Sequence, residues 1–121
     1  MAAILTVDDS ASIRQTVKIA LGREGHTISE ACDGIEGLKK ADESRFDLIL
    51  VDLNMPEMDG ITMIRELRKK PEHAGVPILF LTTESDKDVK QQAKTAGATG
   101  WLTKPFKAEQ LVKIVNKVLA K

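Results

Sequence analysis

Three aspartates, a threonine and a lysine stand where this 121-residue sequence changes from apolar to polar. Asp8 and Asp9 follow Ile4-Leu5-Thr6-Val7, Asp52 follows Leu48-Ile49-Leu50-Val51, and Thr82 follows Ile78-Leu79-Phe80-Leu81. Lys104-Pro105 follows Trp101-Leu102-Thr103. Clustered carboxylate oxygens suit a hard cation such as Mg²⁺, which keeps several waters and works beside phosphate. A carboxylate next to that cation can attack a phosphoryl group and become an acyl phosphate, and Asp52 is the candidate for that attack. A hydroxyl donor and a mobile ammonium are what bound phosphoryl oxygens need, and Thr82 and Lys104 supply them. Together these residues describe a site for a divalent metal and a phosphoryl group, if the chain brings them to one place.

The elements that must do so are legible as short apolar runs alternating with helical patterns, the signature of parallel strands in an α/β fold. Residues just past such strands meet in the crevice outside the carboxyl ends of the sheet. Thr27-Ile28-Ser29-Glu30-Ala31 is a further, partly polar strand placed nearer an edge. The first helix enters through Ser10-Ala11-Ser12, turns Ile13, Val17, Ala20 and Leu21 inward, and ends near Gly22 and Gly25. A second starts at Asp33-Gly34 with Ile35, Leu38 and Ala41 inward. A third buries Ile61, Ile64 and Leu67 and carries Arg65, Glu66, Arg68, Lys69 and Lys70 on a solvated outer face. Pro77 opens the fourth strand. The fourth helix, from Asp86 to Ala96, has only Val89, Ala93 and Ala96 to bury, so its docking is expected to be weak. The fifth, from Ala108 to Ala120, turns Leu111, Ile114, Val115 and Val118 to the sheet, with Val112 and Leu119 widening its apolar surface.

Composition removes several classes of function. Lys+Arg and Asp+Glu both number 18, so a net charge of +0 gives no general attraction to nucleic acid or to an anionic membrane. No apolar run approaches the roughly 20 residues of a membrane span. Met1-Ala2-Ala3 leads straight into a strand without a secretory signal, and the single Cys32 fits a reducing, cytoplasmic compartment. Cys32 reads as a buried small apolar residue, and His26 and His73 as surface residues in turns. No Ser-His-Asp or Cys-His arrangement can be built at the crevice, and Asp8-Asp9-Ser10 occupies the place where a dinucleotide-binding loop needs glycines. No linker or repeat divides residues 1–121, which are expected to form one domain. No surface helix carries a heptad seam, so a monomer is expected. The Lys104-Pro105 bond is of the kind that can be cis, a geometry that would aim the lysine into the crevice.

Asp8-Asp9, Asp52, Thr82 and Lys104-Pro105-Phe106, in this order and at these spacings, resemble the receiver domain of two-component response regulators, above all the single-domain chemotaxis type. Asp52-Leu53-Asn54-Met55-Pro56-Glu57-Met58-Asp59-Gly60 is similar to the family's phosphorylation loop, and the resemblance runs from about Ile4 to Leu119. It implies a flavodoxin-like (βα)5 doubly wound parallel sheet of strand order 2-1-3-4-5, with no output domain. It implies that Asp52 accepts a phosphoryl group from a histidine kinase, that Asp9, Asp52 and the backbone carbonyl of Asn54 hold Mg²⁺ directly, and that Asp8 acts through water. Thr82 and Lys104 then hold phosphoryl oxygens. In the family the threonine moves inward and an aromatic residue on the last strand is repositioned; here that residue is Trp101, where the best-known members have tyrosine. Thr83, bulkier than its counterpart in many relatives, is expected to narrow the approach to the phosphoryl group, and Asn54 and Glu84 to flank the path of an attacking water. Such a protein is no enzyme beyond its own phosphorylation and dephosphorylation. Its implied partners are the kinase, a phosphatase, and a flagellar motor switch protein or another phospho-dependent target docking on helix four, strand five and helix five. A phosphate sink or an adaptor in a non-flagellar pathway shares the same chemistry. An aspartyl-phosphate phosphatase would need a substrate cap, for which the chain has no segment.

Overall fold

The computed structural model describes residues 2–53, 58–83 and 87–120. The four apolar runs and the partly polar one form five parallel strands: β1 (Ala3–Val7), β2 (Thr27–Ala31), β3 (Leu48–Asp52), β4 (Ile78–Thr82) and β5 (Gly100–Thr103). They lie in the order β2-β1-β3-β4-β5, the doubly wound, flavodoxin-like arrangement. β3 and β4 are buried at every position, as strands covered by helices on both faces must be. The partly polar β2 and the short β5 take the two edges.

Between the strands run α1 (Ala11–Gly22), α2 (Gly34–Glu43), α3 (Gly60–Arg68), α4 (Lys87–Ala96) and α5 (Ala108–Leu119). The first three begin with side-chain caps. Ser10 Oγ accepts the Ile13 N–H at 3.3 Å, Asp33 the Glu36 N–H at 2.8 Å and Asp59 the Thr62 N–H at 2.9 Å. Strand alternation divides the core in two. Ile4, Leu48, Leu50 and Leu79 meet α1 and α5, whereas Leu5, Val7, Ile49, Val51 and Phe80 meet α2, α3 and α4. α4 buries only Ala93 and Ala96, with Val89 half-buried.

Five residues differ from the sequence reading, each for a local reason. Ile35 is 54% exposed because α2 docks through Gly34, Gly37 and Ala41. A β-carbon on Gly37 would stand 2.7 Å from Met63 Cε, so the small residues, not the isoleucine, mark the inward face. Cys32 is exposed, since β2 ends one residue earlier and the chain turns out toward the α2 cap. A hydrogen bond to the Glu36 carboxylate is the main reason its thiol pKa lies above the ordinary value, so exposure does not make it a ready thiolate. His73, in a single 3-10 turn at Pro71–His73, is buried, and His26 is half-buried with its Nδ1 accepting the Ala2 N–H at 3.0 Å. Arg68 is not a solvated surface cation. It donates to the carbonyls of Gly97 (3.0 Å), His73 (2.7 Å) and Ala74 (3.2 Å), stapling α3 to two connections. Gly97 permits this with φ +121°, and a β-carbon there would stand 2.6 Å from Arg68 Cγ.

Candidate functional site

Parallel pairing in register brings the strand ends level. Val7 is opposite Val51, Asp52 opposite Leu81, and Thr82 opposite Thr103. The residues that follow therefore share one crevice. Asp8 is fully buried. Its Oδ1 accepts the Ser10 N–H at 2.9 Å and its Oδ2 accepts from Lys104 Nζ at 3.0 Å. Asp52, also buried, has Oδ1 3.2 Å from the same ammonium. Asp9 is exposed at the mouth, and one oxygen from each of Asp8, Asp9 and Asp52 lies within 4.8 Å of the others. Thr82 is buried at the end of β4, and Thr83 beside it is exposed. Asn54 and Glu84 lie outside the described residues.

Lys104 arrives across the cis Lys104–Pro105 peptide, with its own N–H donating to the Thr82 carbonyl at 2.8 Å. Burial works against its charge, but hydrogen bonds and attraction from Asp8 and Asp52 outweigh that cost and hold its pKa above the ordinary lysine value. The ammonium thus balances two carboxylates that would otherwise repel each other in a water-poor crevice.

Two supports escaped the sequence reading. Arg14 donates to the backbone carbonyl of Asp8 and pairs with Glu30 at 3.2 Å, pinning the end of β1 to the edge strand. The available signal was an arginine one helical turn beyond the capping Ser10. Gly60, at the start of α3, is the other. A β-carbon there would lie 2.4 Å from the Asp52 carbonyl oxygen and 2.8 Å from Leu53 Cα, so only glycine lets the helix start that close to β3.

Trp101 is 39% exposed on β5. Its ring stacks on the buried Phe80, centroids 6.2 Å apart, and Lys90 of α4 sits 5.1 Å from the indole centroid. Phe80 is two residues before Thr82 on the same face of β4. The crevice and α4 are therefore joined through one aromatic pair.

The donor set fits Mg²⁺. All three clustered groups are carboxylates, two of them buried and oriented by named partners, and an oxygen-only set is what that ion selects.

The chain belongs to the response regulator receiver domain family, a family of signalling proteins, whose model matches residues 4–116. The transcriptional regulatory protein ResD of Bacillus subtilis (strain 168) is 39% identical over 116 residues, a match that takes in 96% of this chain and 47% of ResD. This chain thus spans about half the length of that relative. Protein PilH of Pseudomonas aeruginosa is 36% identical over 120 residues, covering 99% of both. The solved structure of the chemotaxis response regulator CheY4 of Vibrio cholerae superposes with a TM-score of 0.94 at 47% identity, over 98% of each chain.

Proposed function

We propose that this protein is a phosphorylation switch in which Asp52 is the phosphoacceptor. The observation that carries the reading is the Lys104 ammonium, held 3.0 Å from Asp8 and 3.2 Å from Asp52 at the convergence of three strand ends. An Asp52 oxygen attacks the phosphorus of a kinase phosphohistidine, the P–N bond breaks, and the imidazole leaves with its electron pair. Lys104 then turns from carboxylate to phosphoryl oxygens, and the Thr82 hydroxyl donates to another of them. Asp9, Asp52 and the backbone carbonyl of Asn54 would hold Mg²⁺, with Asp8 placed behind a bound water. That ion offsets negative charge on the phosphoryl group.

Thr83 is exposed and directly follows Thr82, and its methyl and hydroxyl are assigned to obstructing an incoming water. Thr83→Ala is expected to shorten the acyl-phosphate lifetime several-fold, measured by loss of label after donor removal; an unchanged or longer lifetime removes Thr83 from this role. Asn54 and Glu84 are assigned to orienting that water.

Output follows from binding. The half-exposed Trp101, Lys90 and the thinly docked α4 form a face whose shape can depend on what Thr82 holds, and a differential affinity of a few kcal/mol is enough to make a two-state surface decisive. The likeness to CheY4 favours a chemotaxis role, with a flagellar motor switch protein as target, in a cytoplasmic monomer. A phosphate sink is set apart by the absence of any phospho-dependent partner. Among the described residues no helix is long and apolar enough to cross a membrane.

The test is direct. Incubation with Mg²⁺ and acetyl phosphate should add one phosphoryl group by mass, and chelation of the metal or Asp52→Asn should prevent it. Undiminished labelling of Asp52→Asn ends the proposal.

A further inference from the structure

At the opposite end of the sheet, where strands begin, a second group of side chains has no part in phosphoryl chemistry. The 3-10 turn before β4 carries Glu72 and His73, and the last turn of α2 carries Asp42. They line a hollow of about 260 Å³. One ligand atom from each of the three lies within 4.8 Å of the others. His73 is only 7% exposed, and among the described residues its Nε2 has no hydrogen-bond partner. A buried imidazole nitrogen left unpaired is destabilising, and native structures seldom keep one without a ligand or water to satisfy it. Asp42 Oδ1 stands 3.8 Å from that nitrogen, too far for a hydrogen bond and close enough for an ion pair only when the ring is protonated.

That separation is close to what two ligands of one ion require. Nitrogen and oxygen donors bind zinc at roughly 2.0–2.2 Å, which places them roughly 3–3.5 Å apart around a tetrahedron. Asp42 and Glu72 are exposed, so small side-chain rotations can close the remaining gap. The imidazole decides the class of ion, because nitrogen ligands favour zinc and its transition-metal neighbours over Mg²⁺. The main competitor is Lys70, whose Nζ lies 2.6 Å from Asp42 Oδ1 and 2.7 Å from Oδ2. It is a flexible surface side chain that can keep Oδ2 while Oδ1 turns to a metal.

We infer that His73, Asp42 and Glu72 form a binding site for a zinc-class divalent transition ion, completed by water, that ties the end of α2 to the turn entering β4. It differs from the crevice in place and in ligand hardness, one nitrogen and two oxygens against oxygen alone.

The experiment titrates the full chain with Zn²⁺ in excess Mg²⁺, by calorimetry and by imidazole NMR. Asp9→Asn/Asp52→Asn, which strips two carboxylates from the crevice, should still bind one equivalent of Zn²⁺ and still show a shifted His73 ring with His26 unmoved. Asp42→Asn and Glu72→Gln, both at exposed positions, should each weaken binding roughly tenfold or more. His73→Gln should abolish it, but because His73 is buried the two carboxylate variants carry the test. No saturable binding at submillimolar Zn²⁺ overturns the assignment. So does binding that disappears with the crevice substitutions, or an affinity that Asp42→Asn and Glu72→Gln leave unchanged.

Discussion

Lys104 is the counter-charge to two buried carboxylates, and that role can be read by titration. Its folded-state pKa is raised, so its contribution to stability is complete below the ordinary lysine value and is lost as pH rises through the folded one. In metal-free protein, Lys104→Met should cost on the order of 3 kcal/mol near neutrality, because it leaves Asp8 and Asp52 buried together. The gap to wild type, followed by urea unfolding, should narrow above about pH 10.4, the reference lysine value. A gap that stays constant to higher pH would show that the pair adds nothing. Thr6 presents the reverse case: it is fully buried, and among the described residues its Oγ1 has no hydrogen-bond partner. Thr6→Val keeps the shape and removes the stranded hydroxyl, so unfolding should show a gain of about 1 kcal/mol; a loss would mean that the hydroxyl is satisfied in solution. Asp8, Asp9, Asp52, Thr82 and Lys104 were legible in the sequence because each follows an apolar run, and the run is the signal. Arg14, His73 and Cys32 were not, because nothing in a residue's type says where a chain that has left its strand will point.

For the elements, close approach of backbone to backbone does what side-chain packing does elsewhere. α3 begins against the last residue of β3, and the contact at Gly60 is too tight for any β-carbon. Gly60→Ala should displace the Asp52 carbonyl, cost about 2 kcal/mol, and reduce the rate of labelling by acetyl phosphate more than Gly22→Ala, where a β-carbon meets nothing within 4 Å. Equal rates for the two variants would show that the crevice tolerates the shift. Helical periodicity located all five helices but misread two faces. In α2 the inward stripe consists of glycine and alanine, so the hydrophobic Ile35 looked like core and is not. In α3 the basic run looked uniformly solvated, whereas Arg68 had three carbonyl partners on segments distant in sequence. Both errors come from contacts between elements, which a one-dimensional pattern does not contain.

In the whole molecule, strand order decides everything about the site. Periodicity could separate strands from helices and, through the polar residues of β2, place one edge. The full order came from likeness to a family, because crossover connections and not local composition set which strands are neighbours. Once β1 and β3 are adjacent, Asp8 and Asp52 meet across 43 residues of intervening chain, and a ligand shared between them holds the two halves of the fold together. Mg²⁺ should therefore raise the melting temperature of the entire cooperative transition, by an increment that grows with the logarithm of its concentration above the dissociation constant. Asp9→Asn should reduce that increment, and a melting curve indifferent to Mg²⁺ would argue against a metal at the crevice. The aromatic pair at β5 has a practical consequence of its own. The chain contains 1 Trp and no Tyr, so near-ultraviolet emission comes from one indole, set between a buried ring and an ammonium on a helix that buries only Ala93 and Ala96. The native protein thus reports optically on the docking face proposed for it, and arrival of a partner there can be timed in a stopped-flow cell without attaching a dye.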